Sequence, residues 1–309
     1  MADPHYLKLA LDTFPAEPRA VLEEALTERA VLAEAASAEL MRALNVDLDQ
    51  LMLRLLPVAA AYALVPISNY RVGVVASAES DAGATLYLGA NSESLGGSLS
   101  YSVHAEQSAV LSAWLNAERA LSALAISAAP CGYCRQFLNE LACAEHLELL
   151  LPAGASRRPL LDFLPQAFGP GDLGVSAGLL QRGAPPLVLA APHSDDSLLR
   201  AGLAAAQRSY APYSGGFAGV ALETQDQHLV AAPYAENAAY NPSLSPMSAA
   251  LNALQTNRAP GAERQLKRAL LVEVSAKTSQ LAEARAMLAC YAPRLELEHY
   301  RAELRTARA

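Results

Sequence analysis

Two short segments place one histidine, one glutamate and two cysteines at the starts of two predicted helices, and they constrain the fold more than any other feature. The first segment reads VHAEQ at residues 103–107, and the second reads PCGYC at residues 130–134. Imidazole nitrogen and thiolate sulfur are preferred zinc ligands, and zinc holds them tetrahedrally. The fold must therefore bring the two helix starts together around one point.

The ligand count indicates a catalytic zinc and not a structural one. His104, Cys131 and Cys134 supply three ligands, and no fourth histidine or cysteine stands at ligand spacing nearby. A structural site fills all four positions, whereas a catalytic site keeps one open for water. Water on such a zinc has its pKa lowered towards about 7. We therefore predict one zinc per chain, with Glu106 as the group that moves the protons of the water.

Helix geometry supports this grouping on one condition. Cys131 and Cys134 are three residues apart, so in a first helical turn both thiols lie on one side. Pro130 suits a helix start, where the helix dipole favours thiolate over thiol. His104 and Glu106 are two residues apart and would point roughly 200° apart in a regular helix, at about 100° per residue. Both reach one site only if His104 precedes the regular helix.

Three rival interpretations have to be compared with this one. A Cys-x-x-Cys pair after an apolar strand is also typical of a thiol–disulfide oxidoreductase, here using Cys131 and Cys134. A second rival is a deaminase acting on a different aminated ring. A third is a non-catalytic protein stabilised by zinc, although a structural site has no use for Glu106. His-x-Glu on one helix, then a strand, then Pro-Cys-x-x-Cys on the next helix is the combined signature of zinc nucleobase deaminases.

The segments HAEQSA at residues 104–109 and PCGYCRQF at residues 130–137 resemble the cytidine deaminase family. From about Leu51 onwards the chain is similar to the two-domain, homodimeric bacterial form of that family. The resemblance implies a zinc-dependent hydrolase of pyrimidine salvage. Such an enzyme converts cytidine and 2'-deoxycytidine to uridine and 2'-deoxyuridine, with release of ammonia.

The resemblance also implies substrate-binding residues outside the zinc motif. Asn91, Ser92 and Glu93 match the Asn-x-Glu segment that binds ribose in the family, and an amide and a carboxylate can bind sugar hydroxyls as donor and acceptor. Tyr70 stands where the family usually has a phenylalanine against the substrate. Phe168 lies in a stretch resembling the one that closes over the site in two-domain members. We expect these five side chains to line the pocket. Without the resemblance, residues 91–93 also fit a solvated loop, Tyr70 fits an aromatic residue of a strand predicted at residues 70–76, and Phe168 fits an anchor in a linker.

The pattern of predicted elements indicates an α/β protein with two three-layer α/β/α domains, each around a mixed sheet. Residues 1–50 are predicted to be a helical N-terminal segment, in which Val31 falls at near-helical spacing. Residues 51–168 form the predicted catalytic domain, with the order β-β-α-β-α-β. A linker rich in proline and glycine follows at 169–189, and a degenerate deaminase-like domain occupies 190–309.

The second half repeats the first in outline but loses its chemistry. PYS at residues 212–214 echoes PIS at residues 66–68, whereas PMS at residues 246–248 stands where His-x-Glu is expected. No Cys-x-x-Cys follows, so this copy is predicted to bind no zinc. The smaller members of the family resemble tetramers whose sites are lined partly by neighbouring subunits. We therefore predict a homodimer in which the loop 235–241 lines the active site of the other chain.

Composition limits the partners and the compartment. The net charge is −8, and without a basic stripe interleaved with aromatic residues a small free nucleoside is favoured over nucleic acid. Four cysteines do not make a disulfide framework, and a reducing cytoplasm is expected. The first residues, MADPHY, lack the pattern of a signal peptide. The most apolar window, Leu51 to Pro66, is too short to span a bilayer, so no membrane association is expected.

Overall fold

The computed structural model describes residues 4–154, 156–181, 186–190, 196–256 and 264–305. The chain divides into two compact units, each built on one mixed sheet. The first unit comprises Met1–Glu93, Val103–Gly169 and Gln255–Ala262, and the second comprises Ser94–Ser102, Pro170–Leu254 and Glu263–Ala309. The predicted linker at 169–189 includes residues 182–185, which lie outside the described part of the chain.

The first unit contains a six-stranded sheet in the order β1-β3-β2-β4-β5-β6. Neighbouring strands are antiparallel except β4 and β5, which are parallel. The strands are β1 Val31–Leu32, β2 Gly73–Ser80, β3 Gly83–Ala90, β4 Ala123–Ile126, β5 Glu148–Leu150 and β6 Arg158–Pro159. The helices are α1 Pro4–Leu11, α2 Ala16–Ala25, α3 Glu34–Leu44, α4 Leu48–Ala60, α5 Ala105–Leu115, α6 Gly132–Leu138 and α7 Leu160–Phe163.

Two glycines show that helices cover both faces of this sheet. Gly73 on β2 lies opposite Ala90 on β3, so the preceding residue Gly89 points to the other face. A Cβ on Gly73 would lie 2.4 Å from a backbone oxygen of α4, and a Cβ on Gly89 would lie 2.3 Å from a backbone nitrogen of α5. Only glycine allows helices to approach this closely on each side. The predicted three-layer arrangement is confirmed.

The structure corrects the prediction for the region around Val31. Helical spacing predicts a helix there, but Val31–Leu32 form the short strand β1, paired antiparallel with Tyr87 and Leu86 of β3. The backbone N–H of Leu88 also donates to the carbonyl of Ala30 at 2.9 Å. The edge of β3 offers hydrogen bonds to the segment around the β-branched residue Val31, and this tertiary pairing overrides a weak helical preference.

The N-terminal helices share a core with the sheet. Leu22, Leu32 and Leu40 have no exposed surface and belong to the same buried cluster as Leu51 and Leu55 of α4. A fully buried leucine side chain contributes about 1.5–3 kcal/mol by leaving water. Residues 4–50 therefore pack as an integral part of the first unit.

The second unit contains a five-stranded sheet in the order β7-β11-β10-β8-β9. Its strands are β7 Leu187–Leu189, β8 Ala218–Thr224, β9 Leu229–Pro233, β10 Leu266–Val274 and β11 Leu297–Leu304. Its α-helices are α8 Ser197–Arg208, α9 Pro246–Thr256 and α10 Leu281–Tyr291. Short 3-10 helices occur at Leu99–Tyr101 and Pro170–Leu173.

The second sheet repeats the core of the first. The order β9-β8-β10-β11 matches β3-β2-β4-β5, and in each set the pairs are antiparallel, antiparallel and parallel. The helices α8, α9 and α10 follow the same order between strands as α4, α5 and α6. The predicted pair of related α/β domains is confirmed. None of the described helices is long and apolar enough to cross a lipid bilayer.

Candidate active site

His104 lies at the entrance of α5, immediately before the regular helix. Its backbone is extended, with φ −79° and ψ 156°, and its N–H donates to the Gln107 side-chain oxygen at 3.1 Å. A paired bridge between Ser92 and Val103 holds the preceding backbone, with N···O distances of 2.9 Å in both directions. Because His104 stands outside the helical winding, its ring and the Glu106 side chain reach one site. The prediction that His104 precedes the regular helix is confirmed.

The two cysteines occupy the start of α6. Cys131 is the residue before the helix, with φ −70° and ψ 165°, and its sulfur accepts a hydrogen bond from the Cys134 N–H at 3.5 Å. Cys134 is fully buried in the first turn. Arg135 donates from Nε to the Pro130 carbonyl at 2.8 Å and secures the turn before the helix. Both thiols therefore lie on the side of α6 that faces His104.

The three ligand atoms have the spacing that a tetrahedral zinc requires. His104 Nδ1 lies 3.2 Å from Cys134 Sγ and 3.6 Å from Cys131 Sγ, and all three atoms lie within 4.8 Å of one another. Bonds of about 2.0 Å to nitrogen and about 2.3 Å to sulfur would separate nitrogen from sulfur by about 3.5 Å. Among the described residues this is the one such group of His, Cys, Asp and Glu side chains.

The hydrogen bond between the two thiols shifts their pKa values in opposite directions. The Cys134 thiol donates to the Cys131 sulfur, which lowers the pKa of Cys131 to about 5. The same hydrogen bond, together with burial, raises the pKa of Cys134. Zinc binds thiolates, so binding at this group releases protons.

Glu106 is a buried carboxyl group next to the ligands. It is 4% exposed and lies within hydrogen-bonding reach of the Cys134 thiol, and burial raises its pKa above the ordinary value. A carboxyl group whose pKa moves towards the working pH both accepts and donates protons readily. The site therefore places a buried carboxyl group beside three side chains that could hold a metal ion.

The predicted ribose-binding segment lies beside His104. Ser92 is hydrogen-bonded to Val103, the residue before the histidine. Asn91 donates from Nδ2 to the Tyr70 carbonyl at 2.9 Å, and Glu93 accepts from the Ser68 hydroxyl at 2.5 Å. Much of the hydrogen-bonding capacity of these side chains is thus directed at the loop that contains Tyr70.

The two predicted aromatic contacts have exposed rings. Tyr70 is 61% exposed in the loop before β2, not within a strand as its sequence context predicts, because the strand begins only at Gly73. Phe168 is 45% exposed. Its carbonyl accepts from Gln136 Nε2 at 2.7 Å and from Asn139 Nδ2 at 3.1 Å. The segment containing Phe168 is thereby attached to the helix that carries both cysteines.

Two residues near His104 and the two cysteines were not predicted to have a role. The Tyr133 ring stacks on the His104 imidazole, with centroids 5.4 Å apart and planes at 29°. Arg135 also donates from Nη1 to the Phe163 carbonyl at 3.0 Å. Both residues lie within the cysteine motif, but sequence spacing alone does not indicate which neighbouring segment they contact.

The second unit has a buried cluster of serine and methionine side chains near the position that His104 occupies in the first unit. The bridge between Ala235 and Leu244 repeats the bridge between Ser92 and Val103, so Ser245 takes the place of His104 and Met247 that of Glu106. The sequence comparison at 246–248 is thus wrong by one residue, because α9 begins at Pro246 just as α5 begins one residue after His104.

The side chains of Ser245, Ser248 and Met287 form this cluster and contact one another. The Ser248 hydroxyl donates to the Met287 sulfur at 3.3 Å and accepts from the Ser245 hydroxyl at 3.0 Å. All three side chains are buried. Hydroxyl and thioether groups are poor substitutes for imidazole and thiolate at a zinc site.

A histidine and two cysteines at two helix starts, with a buried glutamate between them, define the class of zinc-dependent hydrolytic deaminases. The zinc-binding region of cytidine and deoxycytidylate deaminases matches residues 46–147, and a second family model with that description matches residues 160–285. The chain belongs to the cytidine and deoxycytidylate deaminase family.

Individual relatives agree with the family match. The chain is 45% identical to a cytidine deaminase of Sodalis glossinidius over 76% of this chain and 77% of the relative. It is 47% identical to a cytidine deaminase of Shewanella amazonensis over 74% of each chain. A crystal structure of cytidine deaminase from Mycobacterium tuberculosis is 34% identical over 36% of this chain and 89% of that chain, with a TM-score of 0.30. The family match and the two curated relatives give no support for a thiol–disulfide oxidoreductase.

Proposed function

We propose that this chain hydrolyses the C4 amino group of cytidine and of 2'-deoxycytidine, giving uridine or 2'-deoxyuridine and ammonia. The observation that carries the proposal is the cluster of His104, Cys131 and Cys134 with the buried carboxyl of Glu106 beside it. The test is the change in ultraviolet absorbance of cytidine, with ammonia measured in parallel. Absence of turnover by the zinc-loaded protein would refute the assignment.

His104, Cys131 and Cys134 are the residues that would hold zinc. Bound zinc lowers the pKa of a ligated water towards about 7, which makes a nucleophile available near neutral pH. The helix start at Cys131 and the burial of Cys134 keep the two sulfurs at fixed positions. The fold thus provides the ligand set before substrate arrives.

Glu106 is the proposed acid/base group. Its carboxylate accepts a proton from the attacking water and delivers it to N3 of the pyrimidine. It then takes the second proton and delivers it to the amino nitrogen as the C4–N bond breaks. The oxygen of water becomes the C4 carbonyl oxygen, one proton remains on N3, and the other leaves with ammonia. A raised pKa suits a carboxyl group that must both accept and donate protons.

Binding of the sugar is the role proposed for Asn91, Ser92 and Glu93, and Tyr70 and Phe168 are proposed to contact the pyrimidine. A site that hydrogen-bonds substrate hydroxyls discriminates strongly against an analogue that lacks them. We therefore expect kcat/KM for free cytosine to be about 100-fold or more below that for cytidine. Initial rates with both substrates give the comparison, and equal values would show that these side chains do not bind the sugar.

We further propose that the chain forms a homodimer with two active sites, each completed by the loop 235–241 of the other chain. Closed two-fold assemblies are the commonest oligomers. The exposed part of this loop carries Tyr240, which is 67% exposed. Sedimentation should therefore give twice the chain mass of 32.5 kDa.

Mixing two variants tests whether the sites are shared. Glu106→Gln and Tyr240→Ala should each be impaired alone. After unfolding and refolding together, a mixed dimer should regain one intact site, which contributes about a quarter of the wild-type activity in a random mixture. A mixture no more active than the average of its parents would contradict shared sites.

We propose a division into a helical segment at 1–50, a catalytic domain at 51–168, a linker at 169–189 and a degenerate domain at 190–309. The repeated sheet order supports the two domains, whereas β1 of the first sheet and β7 of the second lie outside these bounds. A cytoplasmic location is also proposed. Its support is that all four cysteines are free, which suits a reducing compartment.

A further inference from the structure

The loop from Ile67 to Val72, which we call the Tyr70 loop, is held at its start by a carboxylate. Glu93 Oε2 accepts from the backbone N–H groups of Ile67 and Ser68 at 2.9 and 3.1 Å. Glu93 Oε1 accepts from the Ser68 hydroxyl. The Ser68 hydroxyl oxygen in turn accepts from the Tyr70 N–H at 3.0 Å. Ser68 therefore connects the carboxylate to the residue that carries the exposed aromatic ring.

A second side chain holds the end of the Tyr70 loop. Asn91 donates from Nδ2 to the Tyr70 carbonyl at 2.9 Å and accepts at Oδ1 from the Val72 N–H at 2.9 Å. The two groups of the amide are thus both bound to backbone. Ser68 and Asn91 together hold the N–H and the carbonyl of Tyr70.

The second unit repeats the carboxylate part of this arrangement. Glu236 Oε2 accepts from the N–H groups of Tyr213 and Ser214 at 2.8 and 3.1 Å, and Oε1 accepts from the Ser214 hydroxyl. The Ser214 hydroxyl oxygen accepts from the Gly216 N–H at 2.9 Å. In both loops the residue after the serine has a left-handed backbone conformation, with φ 57° at Asn69 and φ 70° at Gly215.

The two loops differ at the residue whose side chain could contact a substrate. Gly216, which has no side chain, takes the place of Tyr70, and Tyr234 takes the place of Asn91. Because the unit without zinc ligands keeps the glutamate and the serine, their shared contribution is to the shape of the loop. The contacts of the Asn91 amide with the loop backbone occur in the first unit, where the loop carries the Tyr70 ring.

We infer that Ser68 is a positioning residue for nucleoside binding, which acts by holding the backbone of Tyr70 so that its ring can contact the pyrimidine. Glu93 and Asn91 anchor the same loop from its two ends. This inference rests on the proposed function and adds Ser68, whose hydroxyl is hydrogen-bonded to Glu93 and to the Tyr70 N–H and need not touch the substrate.

The test compares Ser68→Ala in the full zinc-loaded chain with Ser80→Ala as its matched control. The Ser80 hydroxyl likewise donates to a glutamate, Glu34, and accepts from the backbone N–H two residues further on. Ser68→Ala should raise KM for cytidine about tenfold with kcat within about twofold, because the ground state and the transition state lose the same contact. Zinc content should not change. Ser80→Ala should leave KM within about twofold, since Ser80 lies at the end of β2 that is far from the Tyr70 loop. Ser68→Thr keeps a hydroxyl and should restore most of the affinity.

A double-mutant cycle shows whether Ser68 acts through the ring. In a Tyr70→Ala background, Ser68→Ala should have little further effect on KM. An unchanged KM in the single variant, or an equal rise in both backgrounds, would overturn the inference. If the wild-type chain did not turn over cytidine, the proposed function would fail. The same cycle, measured as cytidine affinity by titration calorimetry, would then decide the role of Ser68 separately.

Discussion

Replacing Cys134 with alanine is expected to remove both zinc and deaminase activity, the largest effect of any single change in this chain. The Cys134 sulfur lies 3.2 Å from His104 Nδ1 and is fully buried, so its loss removes one of only three proposed ligands. Wild-type protein should contain about one zinc per chain, because the second unit has no equivalent ligand group among its described residues. Metal analysis and cytidine turnover on the same sample give both values.

A buried cysteine outside the group provides the control. Cys143 is 9% exposed, and its sulfur accepts from the Leu121 N–H at 3.4 Å. Cys143→Ala should retain zinc and activity, with any loss confined to thermal stability. The ligand assignment would be wrong if Cys134→Ala kept a full zinc, or if Cys143→Ala lost it. Far-ultraviolet circular dichroism of both variants establishes that each is folded.

Glu106→Gln is expected to keep zinc and the fold while turnover falls sharply. The amide has nearly the shape of the carboxyl group but cannot accept and return protons. Removal of a general acid/base group typically costs about 10²–10⁴-fold in rate. Because Glu106 serves two proton transfers in the proposed reaction, the loss should lie near or above the upper end of that range. The decrease should appear in kcat and not mainly in KM.

An exposed glutamate gives the matched control for this change. Glu39 on α3 is exposed, and Glu39→Gln should leave kcat, KM and zinc content at wild-type values. Near-normal kcat in Glu106→Gln would refute the acid/base role. Loss of zinc in that variant would instead identify Glu106 as a metal ligand, contrary to the geometry described above.

The sequence by itself determined the class of chemistry. His104, Cys131, Cys134 and Glu106 could be selected because zinc accepts few ligand types, and because helix starts and i, i+3 spacing are local properties. The α/β class and the order β-β-α-β-α-β of the catalytic domain also follow from local periodicity along the chain. The degenerate second copy was recognisable because its zinc ligands are absent from the sequence itself.

Tertiary structure decided the features that depend on pairing between distant segments. Val31 joins a strand because the edge of β3 offers it hydrogen bonds, and the register of the second copy follows from the bridge between Ala235 and Leu244. The hydrogen bonds that Glu93 accepts from Ser68 in the Tyr70 loop join residues 25 positions apart. Hydrogen bonds of this kind depend on side-chain direction and on loop closure, which sequence spacing does not specify. Ser68 could therefore be assigned a role only once the chain was folded.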